Sequence, residues 1–386
     1  MRIVYYFLRK ISSLFVPIHS SFIYIRFLGI NTFSVINKSK RINLDIPSLK
    51  KQLPESAISF YDSYKSPLLK IYSCPKTRVS LLGVLSSKGL ILPYNLPIEN
   101  LAQTIILISA YKKLIFQRSS LEFKTGSYIL FFNPFSHSNI AHWLTEALVR
   151  IWLCKEIIQK NDQFLIPRSN MTEFAIDSIR ALGFKNDCKI LDTSKFIYER
   201  VKVINSNGRQ TEFDPCLVEI RKTILAKYNN SIMSKENPYI LYVKRHKTSK
   251  RKILNEEEMI DSLKSQFEIK VIEASQMSFS QQVLEFSKTC CVISMHGAAL
   301  SNMIWMREGT HVIELFKDIQ SYDGNFYGPP NSPSHWYSRL SAVMKLNYHL
   351  FQCIPPKSHS RMAVSPLIVD CEKLNKLVGK IYKSLE

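Results

Sequence analysis

Beyond residue 238 the hydrophobic positions switch repeatedly between two spacings. The runs "YILYV" (239–243), "EIKVIEA" (268–274), "CCVISM" (290–295) and "HVIELF" (311–316) are short, apolar and rich in β-branched residues, the pattern of buried strands. Between the first three the spacing is helical. In "LNEEEMIDSLKSQ" (254–266), Met259, Ile260 and Leu263 share one face, Glu256, Glu257 and Glu258 occupy the first turn, and Asn255 is placed to cap it; "SFSQQVLEFSK" (278–288) is the next predicted helix. Strands alternating with helices predict a parallel sheet with right-handed crossovers, a doubly wound α/β domain.

The polar run "KYNNSIMSKENPY" (227–239) precedes this domain and sets its boundary, giving 41–235 as one domain and 236–366 as the next. In the earlier half, "SHSNIAHWLTEALVRIWL" (136–153) predicts a helix from near Asn139, with Ile140, Leu144, Ala147, Leu148 and Ile151 on its apolar side and Asn139, His142, Glu146 and Arg150 on the other. The last twenty residues, 367–386, also carry apolar residues at a helical period. Residues 1–40 mix apolar and basic positions. Arg9, Lys10, Pro17, His19 and Arg26 interrupt any span, and no small-residue cleavage site follows a clean apolar stretch. Two readings fit: an amphipathic segment on an anionic leaflet, or an ordinary first strand and helix.

At 386 residues and 46% hydrophobic, the chain is long enough for two domains with cores of their own. Its formal net charge of +21 draws polyanions. No zinc-finger spacing or aromatic-glycine RNA signature occurs, so nucleic acid is not the expected partner, and anionic lipid or phosphorylated substrates take precedence. The eight cysteines form no CxxC pair and read as buried free thiols.

The candidate chemistry gathers around "MHGAALSN" (295–302). His296 follows a strand directly, and Gly297-Ala298-Ala299 opens a predicted helix with side chains too small to block an anion from its N–H groups. The same spacing fits close helix–sheet packing with His296 as an interior residue. Glu314, inside an apolar strand, calls for a partner. At the end of the first strand of the same sheet lies the basic loop "KRHKTSKRK" (244–252), in which Arg245 and Arg251 suit a bidentate grip on phosphate; a solvated run also accounts for its lysines. In the other half, His142 and Glu146 are one turn apart, where a carboxylate can orient an imidazole for proton transfer; a solvated polar face has the same pattern. Neither GxGxxG nor a P-loop is present.

In order, "HW…E" (142–146), "YVKR" (242–245), "NEEEM" (255–259), "MSFSQQVLEFS" (277–287) and "HGAALSNMIWMREGTHVIELF" (296–316) resemble glycosyltransferase family 61 across about residues 135 to 340. The resemblance implies a GT-B fold, two doubly wound Rossmann-like domains facing across a cleft, and inversion at the anomeric carbon. It implies that Arg245 and the His296-Gly297 backbone hold the donor diphosphate, that Asn302 and Glu314 support or contact the nucleoside, and that His142 and Glu146 face the acceptor. Arg251 and Ala298 join the expected donor site. Ala299 stands where the family often has a second glycine, and the loop after Arg245 is richer in lysine than usual. The helix 367–386 is expected by analogy to return to the first domain. No Asp-x-Asp occurs, so neither a metal nor another cofactor is expected, with positive side chains and a helix end neutralising the diphosphate. The expected partners are a nucleotide sugar, a glycan or lipid-linked acceptor and an anionic membrane surface. The expected setting is the inner face of a bacterial membrane in capsule or O-antigen synthesis, with the Golgi or ER lumen as the alternative. A sugar-phosphate transferase and a non-catalytic nucleotide-sugar-binding protein are the competing functions.

Overall fold

A computed structural model of the chain describes residues 31–35, 41–43, 63–87, 90–92, 121–206, 212–228, 239–246, 251–317, 336–354 and 366–384. Two compact units emerge, one from Met1–Lys40 and Ser66–Gln210, the other from Arg41–Lys65 and Thr211–Glu386. Residues 1–30, the lysines at 247 and 250, and most of the 227–239 run fall outside the described residues. Among the described residues no helix is long and apolar enough to cross a membrane.

The first unit is built on one mixed sheet. Its strands are β1 (Asn31–Val35) and, after the second unit's short pair β2 (Arg41–Asn43) and β3 (Ser63–Lys65), β4 (Leu69–Val79), β5 (Leu85–Ser87), β6 (Leu90–Leu92), β7 (Glu122–Leu130), β8 (Asp162–Pro167), β9 (Cys188–Leu191) and β10 (Phe196–Ser206). The order is β6-β5-β4-β10-β7-β8-β9, with β1 also on β4. From β10 to β9 the strands are parallel, whereas β4 runs antiparallel to β10, β5 and β1. The expected doubly wound architecture therefore describes only the parallel half. That half runs third, second, first, fourth, so its order reverses between β7 and β10. Helix α1 follows β7 as Ile140–His142, a π turn over Trp143–Ala147, and Leu148–Leu153. Helix α2 (Thr172–Ala181) lies between β8 and β9 in the chain and buries Phe174, Ala175 and Ile179. The core joins Phe131 to Trp143 and Phe164 through edge-on ring contacts at 5.4 and 5.6 Å.

The second unit carries α3 (Leu217–Lys227) and a five-stranded sheet of β11 (Ile240–Val243), β12 (Ile269–Ile272), β13 (Cys291–Met295), β14 (His311–Lys317) and β15 (Asn347–Cys353). All are parallel, in the order β12-β11-β13-β14-β15. The order reverses between β11 and β13, which with right-handed crossovers distributes helices to both faces. Residues alternate accordingly. Ile240, Tyr242, Ile293 and Ile313 pack with Met259, Ile260 and Leu263 of α4 (Glu256–Lys264) in one core. Helix α5 (Phe279–Lys288) is capped by Ser278, whose Oγ accepts from Gln281 N while Ser278 N donates to the Gln281 side chain. Helix α6 (Trp336–Met344) and α7 (Cys371–Lys383) complete the unit.

Four expectations change here. The boundary lies ahead of α3, because Ile220, Ile224 and the Arg221 guanidinium are buried and Arg221 donates to Met306 O and Met344 O of this unit. Helix α7 is part of the second unit, where Leu374, Val378 and Ile381 fill the core shared with α4. Asn255 sits at the N-cap position of α4, yet its side chain does not cap the helix: Nδ2 donates to Val369 O (2.8 Å) and Oδ1 accepts from Val369 N (3.0 Å). The segment after His296-Gly297 is a 3-10 run, Ala298–Trp305, rather than an α-helix. All eight cysteines are free thiols.

Candidate active site

In open α/β sheets ligands lie beyond the carboxyl ends of the strands where strand order reverses. In the second unit those strands are β11 and β13. Arg245 lies two residues past β11, and His296 is the first residue past β13. They meet: Arg245 Nη1 donates to the His296 carbonyl at 2.7 Å, and Arg251 Nη1 donates to the same oxygen at 3.1 Å. Gly297 makes this approach possible, since a Cβ there would overlap the Arg245 guanidinium. Its carbonyl accepts from Tyr337 OH at 2.6 Å. The 3-10 run starts with Leu300 N donating to Gly297 O, so the N–H groups of partly exposed Ala298 and Ala299 precede its ladder.

Two guanidinium groups thus converge on one carbonyl, and no described carboxylate pairs with either. Burial first, and the Arg251 charge second, push the Arg245 pKa down to about 10, with Tyr337 opposing both. An anion bound here would relieve that repulsion.

Behind the bend stands a buried polar chain. His296 Nδ1 donates to Glu314, and Tyr348 OH donates to the other oxygen of the same carboxylate at 2.6 Å. These are the partners that a fully buried Glu314 needs. The rings of Phe316 and Tyr337 meet the imidazole edge-on at 5.4 and 5.3 Å. Asn302 is also fully buried: it donates to Gln282 Oε1 (2.7 Å) and Ala299 O (3.1 Å) and accepts from Trp305 Nε1 (3.1 Å). Both side chains, expected to support or contact a nucleoside, are thus engaged with partners inside the protein.

The first unit repeats the arrangement. Beyond β7, beside the reversal toward β10, Asn133 Oδ1 accepts from Phe135 N and Ser136 N and its Nδ2 donates to Glu146 Oε2 at 3.2 Å. Asn139 caps α1 by accepting from Ala141 N. His142 Nδ1 donates to Glu146 Oε1 at 2.5 Å, and Arg150 reaches Oε2 (3.4 Å) and Phe131 O (2.9 Å). The π turn runs between His142 and Leu148. Within it Thr145 Oγ1 donates to Ala141 O, a side-chain bond that competes with the regular helical ladder. At 9% and 4% exposure, His142 and Arg150 belong to the interior, which overturns the solvated-face alternative. Burial pushes the Glu146 carboxyl up, but His142, Arg150 and Asn133 outweigh it and hold the group below the usual carboxylate range.

Sequence reasoning brought together Arg245, Arg251, His296, Gly297 and Ala298 in one unit and His142 with Glu146 in the other. It missed Tyr337, Tyr348 and Asn133. Tyr348 precedes His349 and Leu350 in no recognisable chemical motif, and only its place on the strand next to that of Glu314 reveals it. Asn133 had a usable signal, a side chain able to turn the chain just after a strand.

Each α/β unit gathers polar side chains past the strands that flank its reversal of strand order, the place where open sheets take up ligands. Residues 140–313, somewhat less than half of the chain, match the family model Glycosyltransferase 61. The match includes His142, Glu146, Arg245, Arg251, His296, Gly297, Ala298 and Asn302, and ends one residue before Glu314. The chain is also 34% identical over 83 residues to protein O-linked-mannose beta-1,4-N-acetylglucosaminyltransferase 2 of Tetraodon nigroviridis. That stretch covers 21% of this chain and 14% of the relative.

Proposed function

We propose that this protein is a glycosyltransferase that moves a sugar, with inversion, from a nucleotide-sugar donor to a hydroxyl of a glycan or lipid-linked glycan in bacterial surface polysaccharide synthesis. The observation that carries the proposal is the convergence of Arg245 and Arg251 on the His296 carbonyl against Gly297, a cationic cradle at the reversal of strand order. The reading includes a GT-B arrangement, with the second unit holding the donor and the first the acceptor.

His142 is assigned as the base. Glu146 has its carboxyl held down by three neighbours, which makes it a weak proton acceptor and a strong orienting partner. The imidazole takes the proton of the acceptor hydroxyl as that oxygen bonds to the anomeric carbon. The bond from that carbon to the diphosphate oxygen breaks, and its electron pair leaves with the nucleoside diphosphate, whose charge rests against Arg245 and Arg251. The two guanidinium groups and the absence of Asp-x-Asp support a reaction without a divalent metal, and no cofactor takes part. The +21 charge supports an enzyme held at an anionic membrane surface on the cytoplasmic side.

Incubating the chain with a panel of nucleotide sugars in excess chelator, with product nucleotide and anomeric configuration read by NMR, tests this. Nucleoside diphosphate and an inverted linkage are expected. Nucleoside monophosphate would assign a sugar-phosphate transferase instead, binding without turnover a degenerate site, and activity restored only by manganese would end the metal-free reading.

A further inference from the structure

At the carboxyl edge of the second unit's sheet, three chain segments form a short ribbon. Ile253 bridges Leu367 in parallel, and Ile354 bridges Ile368 antiparallel. The ribbon is fastened by Leu254 N to Leu367 O (2.8 Å), Leu367 N to Lys252 O (2.9 Å), and the reciprocal pair Ile354 N to Ile368 O (3.0 Å) and Ile368 N to Ile354 O (2.9 Å). Ile253, Leu367, Val369 and Cys353 point inward and belong to the core. Side chains along an extended segment alternate, so Lys252, Leu254, Ile368 and Ile354 point outward together. Their exposure agrees: Leu254 is 49% exposed, Ile354 62%, Ile368 38%, and Lys252 is exposed as well.

Single exposed aliphatic residues are ordinary, but three adjacent ones on a rigid, hydrogen-bonded ribbon form a contact surface. The company they keep identifies the partner. A lysine, Lys252, shares the face and directly follows Arg251 of the cationic cradle, and the whole chain carries +21. A hydrophobic protein partner would be expected to meet apolar groups with less surrounding charge, whereas an anionic bilayer takes aliphatic side chains at its acyl boundary and cations at its headgroups. We infer that Leu254, Ile354 and Ile368, with Lys252, form a docking face for an anionic lipid surface. The inference rests on the reading of an enzyme that works at such a membrane and names where it touches. Docking there brings the edge that carries Arg245 and His296 toward the bilayer, within reach of a lipid-linked sugar.

The test is co-sedimentation of the full chain with phosphatidylcholine vesicles and with vesicles that also contain phosphatidylglycerol. The wild-type chain is expected to favour the anionic vesicles. The triple variant Leu254→Ser/Ile354→Ser/Ile368→Ser is expected to lose at least about tenfold in partitioning, from the apolar area withdrawn. Ile354→Glu, which adds a repelled charge, is expected to lose a comparable amount. Urea midpoints matching wild type show that the variants are folded. A wild-type chain that ignores both vesicles overturns the inference together with the membrane reading. Strong wild-type binding that the triple variant keeps overturns the inference alone. So does a wild-type dimer, by light scattering, that the triple variant converts to monomer with vesicle binding unchanged, because the face then joins two copies of the chain.

Discussion

The Arg245 guanidinium fills the space that a side chain at position 297 would need: a Cβ on Gly297 would overlap Nη1. Gly297→Ala should therefore push the guanidinium off the His296 carbonyl while leaving the fold intact, since the atom that must move is the end of a flexible chain. Loss of one charge-assisted contact predicts a donor KM raised about tenfold to a hundredfold. Steady-state kinetics with a thermal melt in parallel check this, and an unchanged KM would remove Arg245 from donor binding.

Arg245→Lys tests the shape of the same contact. A lysine keeps the charge but loses the planar fork, so nucleoside diphosphate affinity should fall by about tenfold although the net charge is unchanged. Affinity of the wild-type chain should also decline as pH rises through about 10, where Arg245 begins to lose its proton. Isothermal titration of both chains across that range is the measurement.

His142→Ala should lower turnover by about a hundredfold to ten-thousandfold, with donor affinity unaltered, because a positioned base contributes that much and His142 lies in the other unit from Arg245. The residual rate should climb with pH as hydroxide substitutes for the imidazole. Undiminished turnover at saturating donor would exclude His142 as the base.

Glu146 carries a prediction about acid. Its carboxyl is held down by His142, Arg150 and Asn133 against burial. A depressed folded-state value contributes stability that is complete above the unfolded value of about 4.3 and is lost as pH falls below it. Urea midpoints of the wild-type chain should thus drop through this acid range, and those of Glu146→Gln, lower at neutral pH, should drop less. Parallel acid limbs for the two chains would contradict the assignment.

Asn255→Ala removes both hydrogen bonds to Val369 and should cost about 2 kcal/mol in a urea titration. Hydrogen exchange should quicken first over α7, whose entry that side chain secures. Loss confined to α4 would instead restore a capping role.

Much of the second unit was legible because its central strands β11, β13 and β14 are buried on both faces and its helices on one, so the change of period along 239–316 carries the topology. The Arg245–His296 contact was legible for the same reason: strand ends fix where loops meet. The position of Asn255 was readable, but its partner was not, since Val369 lies 114 residues away and nothing local points to it. The antiparallel half of the first sheet was hidden, as β4 pairs with β10 across more than a hundred intervening residues. His142 and Glu146 stood out at helical spacing, yet their burial depended on Asn133 and on the Phe131 carbonyl, which belong to the preceding loop. The 3-10 geometry after Gly297 left no mark, because a run of small and apolar residues suits either kind of helix.

The second unit is not a continuous length of polypeptide. Tyr64, contributed from far upstream, donates its hydroxyl to Phe213 O at 2.9 Å and lies under the Arg339 guanidinium, while Arg221 of α3 clasps the carbonyls of Met306 and Met344. A recombinant piece begun at the 227–239 linker would discard all of these fastenings and leave the carbonyls of Met306 and Met344 without that donor. Anyone wishing to isolate the second unit for crystallography would do better to graft residues 41–65 onto 211–386 than to cut where the polar run invites it.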